Sequence, residues 1–152
     1  MDRKANRAGL AVAVATAALT IAAVAGAAGR DDGRPVPTAL LHPVGGSGVY
    51  GSASFGPYPT GTNTALVVRR LGPRGYARAR LHAGTSLGRL SASFAPLPEL
   101  HANRWGTARA QGRVLFRGIY DIELADVADG EHSVVIVQRG RVVAFGRIPR
   151  DG

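Results

Sequence analysis

The sequence predicts an all-β domain, an antiparallel sandwich or small barrel, on three observations. From residue 49 onward apolar and polar residues alternate with period two in short runs. Turn residues separate those runs at short intervals. No stretch of that part holds a helical period. Seven or so short strands in about 100 residues point to that class.

The elements follow in chain order. Residues 2–7, DRKANR, form a short, mostly basic head. Residues 8–29 are an uncharged run of 22, rich in Ala, Val, Leu and Ile. Ala25-Gly26-Ala27 supplies the small-x-small pattern that a signal peptidase reads, so residues 1–27 are expected to be a signal peptide. The competing reading is an uncleaved membrane-anchor helix, because the run is long enough to span about 30 Å of hydrocarbon at about 1.5 Å per residue. Alanine contributes little to membrane partition, and Arg30-Asp31-Asp32 follows at once, which favours cleavage. Either reading places the rest of the chain outside the cytoplasm, secreted or in the cell envelope.

Residues 28–48 carry Pro35-Val36-Pro37 and Pro43-Val44-Gly45-Gly46-Ser47-Gly48, and read as a Pro/Gly-rich linker. The sandwich domain is expected over residues 49–150. Residues 49–55 (VYGSASF) and 63–71 (NTALVVRRL) are candidate strands, the second strengthened by Thr64, Val67 and Val68. After the turn LGPRG, residues 76–82 (YARARLH) put Tyr76, Arg78, Arg80 and His82 on one face and Ala77, Ala79 and Leu81 on the other. That strand has a small apolar inner face and a basic outer face. Residues 86–106 are less regular, with Pro96-Leu97-Pro98 blocking a central strand and Trp105 expected to anchor a loop on the core. Residues 113–119 and 120–124 have strand character, Asp129-Gly130 marks a turn, and residues 132–137 and 141–145 flank Gln138-Arg139-Gly140 as a hairpin with a three-residue loop.

The chain has a net charge of +9 and no cysteine. Removing Arg3, Lys4, Arg7 and Asp2 with the first 27 residues leaves 16 basic and 9 acidic residues, or +7. Without cysteine there is no disulfide, thiolate metal site, Cys nucleophile or acylated lipobox. Such a balance suits an acidic surface: phospholipid heads or acidic envelope polymers. Aromatics are not interleaved with the arginines as a stacking platform for single-stranded nucleic acid requires, which argues against that partner.

Three segments in order, ALVVRRLGPRGYARARLHAGTS, LPELHANRWGTARA and GEHSVVIVQRGRVVAFGRIP, cover residues 65–149. Together they resemble bacterial exported domains of the copper/zinc superoxide dismutase-like and chordin-type (CHRD-like) β-sandwich class. The resemblance implies a Greek-key sandwich. In the enzymes of that class copper is held by histidines, including a His-x-His pair on one strand. The matching positions here are Arg80-Leu81-His82, so a permanent cation without a lone pair replaces the first ligand. The late strand has Val137-Gln138 where another copper histidine would stand. His42, His101 and His132 are scattered, and His82 is left as the one weak metal candidate. The class also pairs two cysteines, whose places are taken by Ser86 and Phe145. Such a bridge would contribute about 4 kcal/mol in the chain-entropy model, of which the ring of Phe145, if buried, offsets about 2–3 kcal/mol.

Other chemistry is thinly represented. GGSGVYGS lacks the spacing of a nucleophile elbow and the Gly-Lys-Ser/Thr ending of a phosphate loop. Asp121 and Glu123 on one strand face, with Asp126, Asp129 and Glu131 on a turn, form an acidic cluster without EF-hand order, read as a solvated edge that balances the arginines. The expectation is therefore an exported domain without catalysis or cofactor, structural or binding in role. The alternatives are a degenerate copper-binding or superoxide dismutase-like protein using His82, and a polyanion-binding module using Arg78 and Arg80, joined by Arg69 or Arg113 across neighbouring strands.

Overall fold

The computed structural model describes residues 35–151. The proposed signal or anchor segment lies outside the described residues. Ten strands form one curled antiparallel sheet: β1 (Thr38–Pro43), β2 (Tyr50–Tyr58), β3 (Gly61–Arg69), β4 (Tyr76–Ala83), β5 (Ser93–Pro96), β6 (Leu100–His101), β7 (Ala108–Phe116), β8 (Tyr120–Asp121), β9 (His132–Gln138) and β10 (Arg141–Arg147). Their order is β5-β4-β9-β10-β1-β2-β3-β7-β8, with β6 pairing to β4 off that path. One helical turn, α1 (Leu124–Val127), lies between β8 and β9. The chain makes hairpins from β1 to β3, then crosses to β4, and crosses again before β7 and after β8, which is Greek-key connectivity.

The sheet curls until β5 at one edge packs against β7 near the other. Phe94 on β5 and Phe116 on β7 face each other with ring centroids 5.1 Å apart. The interior is one contiguous cluster that includes Phe55, Leu66, Leu81, Leu100, Ile136 and Ile148, each fully buried. Period-two alternation supplies it: Thr62, Thr64, Leu66 and Val68 point inward from β3, and Ala77, Ala79 and Leu81 from β4. Each buried leucine or phenylalanine contributes about 1.5–3 kcal/mol by leaving water. Thr62 Oγ1 donates to the Ile122 carbonyl at 2.7 Å, whereas the buried Thr64 Oγ1 has no partner among the described residues.

Several sequence expectations are corrected here. The span 28–48 is not linker throughout, because β1 pairs with β2 on one side and β10 on the other. Flanking prolines mask it: Ala39 and Leu41 are buried in alternation with Thr38, Leu40 and His42, and the Pro37 carbonyl accepts from Phe55 N–H at 2.9 Å. The following loop is pinned where β10 bulges, with Val44 N–H and Ser47 Oγ both donating to the Val143 carbonyl. Trp105 does not anchor the core; its side chain is 73 % exposed. The last hairpin has a two-residue loop, Arg139-Gly140, because Gln138 pairs with Arg141. The strand expected over 120–124 shrinks to β8, so Asp121 and Glu123 share no strand face, and Glu123 stands at the start of α1 without a side-chain capping bond. Phe145 is half-buried on the outer side of β10, since Ala144, Gly146 and Ile148 are the inward residues. Gly146 is required there: a Cβ would lie 2.3 Å from the Leu40 carbonyl oxygen.

Candidate functional site

The basic face of β4 is where the sequence places it. Arg78 and Arg80 are exposed while Ala77, Ala79 and Leu81 between and beside them are buried. Pairing with β9 sets Arg78 opposite Val137, Arg80 opposite Val135 and His82 opposite Ser133. Val135 points outward yet is only 2 % exposed, flanked by Arg80 on one side and Phe145 on the other. The outer face therefore has an aliphatic floor, Val135, Val137 and Val142, with arginines beside it.

This face forms an open groove of about 1110 Å³. Five guanidinium side chains line it, from Arg70, Arg74, Arg78, Arg80 and Arg139, with His82 and Leu90 at the far end of β4. No carboxylate, serine, threonine or cysteine lines the groove. Arg69 and Arg113 are not part of it, because β3 and β7 lie on the other side of the curl from β4, and Arg113 is ion-paired with Asp121. Arg70, Arg74 and Arg139 replace them, arriving from turns at one end of the barrel.

Those turns are held firmly. Leu71 N–H donates to the Gly106 carbonyl at 3.0 Å, Arg74 N–H to that of Asn103 at 3.0 Å, and Ala102 N–H to that of Gly75 at 2.8 Å. Gln138 Nε2 donates to the Leu71 carbonyl at 2.8 Å, tying the β9–β10 hairpin to the same loop. Gly106, at φ 74°, packs on Gly72 so closely that a Cβ would lie 3.1 Å from the Gly72 nitrogen. Within this frame Arg70, Arg74 and Arg139 all take left-handed backbone conformations, at φ 63°, 54° and 51°. Side chains other than Gly, Asn and Asp rarely adopt that region, at a cost of about 1 kcal/mol or more per residue.

The arginines are not equivalent. Arg78 Nε donates to Tyr76 Oη at 3.1 Å, and Tyr76 Oη donates to Glu99 Oε1 at 2.6 Å. That bond to Tyr76, with the charge of Glu99 behind it, holds the Arg78 proton above its ordinary affinity. Arg70 lies over the Tyr50 ring, 5.6 Å from its centroid. Arg74, Arg80 and Arg139 make no side-chain hydrogen bond or ion pair among the described residues.

His82 Nδ1 donates to the Ser91 carbonyl at 2.9 Å, which leaves Nε2 for any ligand. Among the described residues no group of three His, Cys, Asp or Glu side chains is placed to hold a metal ion. His42 lies on β1, His101 on β6 beside Tyr76, and His132 at the start of β9 against Asp129. Ser86 and Phe145 occupy, respectively, the loop after β4 and the outer side of β10.

Sequence reasoning missed Arg70, Arg74 and Arg139 as members of the site. The available signal was an arginine beside glycine in a turn, in Arg74-Gly75 and Arg139-Gly140, where asparagine is the usual occupant of a left-handed position. Acidic residues collect at the opposite end of the barrel. Asp129 Oδ1 accepts from Glu131 N–H at 2.7 Å and from His132 Nδ1 at 2.9 Å, and Arg147 and Arg150 donate to the Gly130 and Asp129 carbonyls. No family model, curated protein or solved structure matches this chain.

Proposed function

We propose that the chain is an exported, non-catalytic binding domain of the cell envelope that holds an anionic partner on the β4–β9 outer face. The observation that carries this reading is the groove lining: five arginines and a histidine, no carboxylate, and an aliphatic floor. Guanidinium groups held apart by strand register and fixed turns repel one another unless an anion lies among them. Three of them occupy backbone positions that a glycine or asparagine would fill more cheaply, and such outliers gather at functional sites. The superoxide dismutase-like or CHRD-like assignment belongs to the same proposal, supported by the three segments quoted above and by the crossing connections of the sheet.

Retention on a carboxylate or phosphate matrix tests the reading. The chain should elute at a salt concentration that falls when Arg78→Glu is combined with Arg80→Glu, both exposed and outside the core. Exposed charges are screened beyond about 8 Å at physiological ionic strength, so the interaction should weaken steeply with salt. Retention independent of salt and of both substitutions would remove the proposal.

A further inference from the structure

The acidic residues of the barrel are sorted to one end, where Arg89, Arg113, Arg117, Arg147 and Arg150 balance them. The loops 44–48, 70–75, 102–107 and 139–140 meet at one end, as the strand registers and the hydrogen bonds among those loops require. They carry Arg70, Arg74, Arg104 and Arg139 and no acidic residue. Of the seven acidic residues among those described, Asp121, Glu123, Asp126, Asp129, Glu131 and Asp151 belong to the other end, and Glu99 alone lies near the basic one. Trp105 stands among the basic loops. Its ring is 73 % exposed although its backbone is fixed, with Asn103 Oδ1 accepting from Trp105 N–H at 2.9 Å and from Thr107 N–H at 3.1 Å. The Arg104 guanidinium lies 4.6 Å from the indole centroid. A large amphipathic ring presented on a rigid turn, with Arg104 against it and further arginines on the neighbouring loops, suits the headgroup layer of a bilayer, where the ring meets the acyl boundary and the cations meet phosphate.

We infer that this end of the barrel docks on an anionic lipid bilayer with Trp105 seated at headgroup level. The inference rests on the anionic-partner reading above and names the partner's class. A linear polyanion calls for cations in a row along a track. Four loops instead set theirs around one end, an arrangement that matches a surface. The groove opens from that end onto valines, which suit acyl carbon better than a hydrated polymer. Each arginine near an anionic leaflet strengthens binding severalfold, so three together are worth about a hundredfold.

Trp105 is the only tryptophan, so its fluorescence reports this loop alone, whatever the apolar run 8–29 does. The full chain is added to phosphatidylcholine vesicles with and without phosphatidylglycerol, and separately to heparin as a polymeric anion. Docking predicts a blue-shifted emission, quenched by lipid brominated on the acyl chain, with the phosphatidylglycerol vesicles only. It also predicts reversal by salt, and a response weaker by about a hundredfold or more in a variant combining Arg70→Glu, Arg74→Glu and Arg139→Glu, because each exchange removes a cation and adds an anion. The salt reversal, measured on the unaltered chain, decides the matter if that variant does not fold. Unshifted emission on anionic vesicles with salt-sensitive heparin binding overturns docking and leaves the anionic-partner reading standing. Absence of both overturns the two together. An equal shift on neutral vesicles overturns charge-led docking.

Discussion

Replacing Arg74 and Arg139 together by asparagine should raise stability while weakening anion binding. Both residues sit at positive φ, 54° and 51°, and neither side chain makes a hydrogen bond or ion pair among the described residues. Their substitution therefore removes strain and few contacts. Asparagine tolerates the left-handed region, so each exchange should recover about 0.5–1 kcal/mol, or about 1–2 kcal/mol for the pair. Removing two mutually repelling charges acts in the same direction. Unfolding entropy of about 2.1 cal/mol/K per residue over roughly 120 residues converts that gain to a Tm about 4–8 °C higher. The same exchange removes two cations of the groove, each worth about 1 kcal/mol at an anionic surface, so affinity for phosphatidylglycerol vesicles should fall about 10- to 30-fold. The assay pairs thermal unfolding followed by circular dichroism with vesicle co-sedimentation. Arg74→Lys with Arg139→Lys is the control, retaining charge and strain and leaving both readouts near those of the parent. A lower Tm in the asparagine pair would refute the strain argument. Undiminished vesicle binding would refute the claim that these arginines are placed for an anion.

Two further expectations concern the core and the acidic end. Thr64→Val removes a buried hydroxyl that has no partner among the described residues and keeps the β-branched shape, so it should stabilise by about 1 kcal/mol; a lower Tm would mean the hydroxyl is satisfied. Burial pushes the Asp129 carboxyl up, but Glu131 N–H and His132 together outweigh it and hold the group below the usual carboxylate range. A carboxyl lowered in the folded state contributes stability that is complete above its unfolded value, about 4, and is lost as pH falls through the folded one. Asp129→Asn should thus melt below the parent at neutral pH and converge with it below about pH 4. A gap that persists to pH 2 would show that the difference does not come from the charge.

What the residues reveal by themselves follows from the range of the interaction. The alternation YARARLH and the pair HSVVIV and RVVAF are local, and β4, β9 and β10 are legible almost to the residue. Strand β1 is not, because it lies between Pro37 and Pro43 and its partners are β2 and the distant β10. The outer face was legible only by half. Arg78 and Arg80 belong to one strand, but their apolar neighbours Val135 and Val137 are about 55 residues away, and pairing of β4 with β9 is decided by burial of the whole sheet. Arg69 and Arg113 are expected to join them across neighbouring strands, and the curl separates both from β4. Trp105 was misplaced for a related reason. Bulk and hydrophobicity suggest a core anchor, yet the turn is already fixed by Asn103 and by the Gly72–Gly106 contact, so the indole is not required inside.

The local compromises of this domain are unevenly distributed, and that unevenness is itself an argument about function. Among the described residues, four other than glycine take positive φ, and all four are arginines. Arg117 is the one at the acidic end, and its guanidinium lies 5.3 Å from the Phe116 centroid, a stacking contact that offsets part of its strain. The other three converge on one groove with no acidic residue among them, and the loop bonded to Arg74 carries an exposed tryptophan. Folding alone favours glycine or asparagine at these turns, mixed charges around the groove, and the indole buried. A bias towards arginine from base composition would enrich the residue everywhere, and would not sort acids to the opposite end or leave the one tryptophan outside. Departures from the cheapest local choice that coincide in space are what a binding surface requires, because a partner supplies there the counter-charge and the apolar cover that the chain withholds from itself.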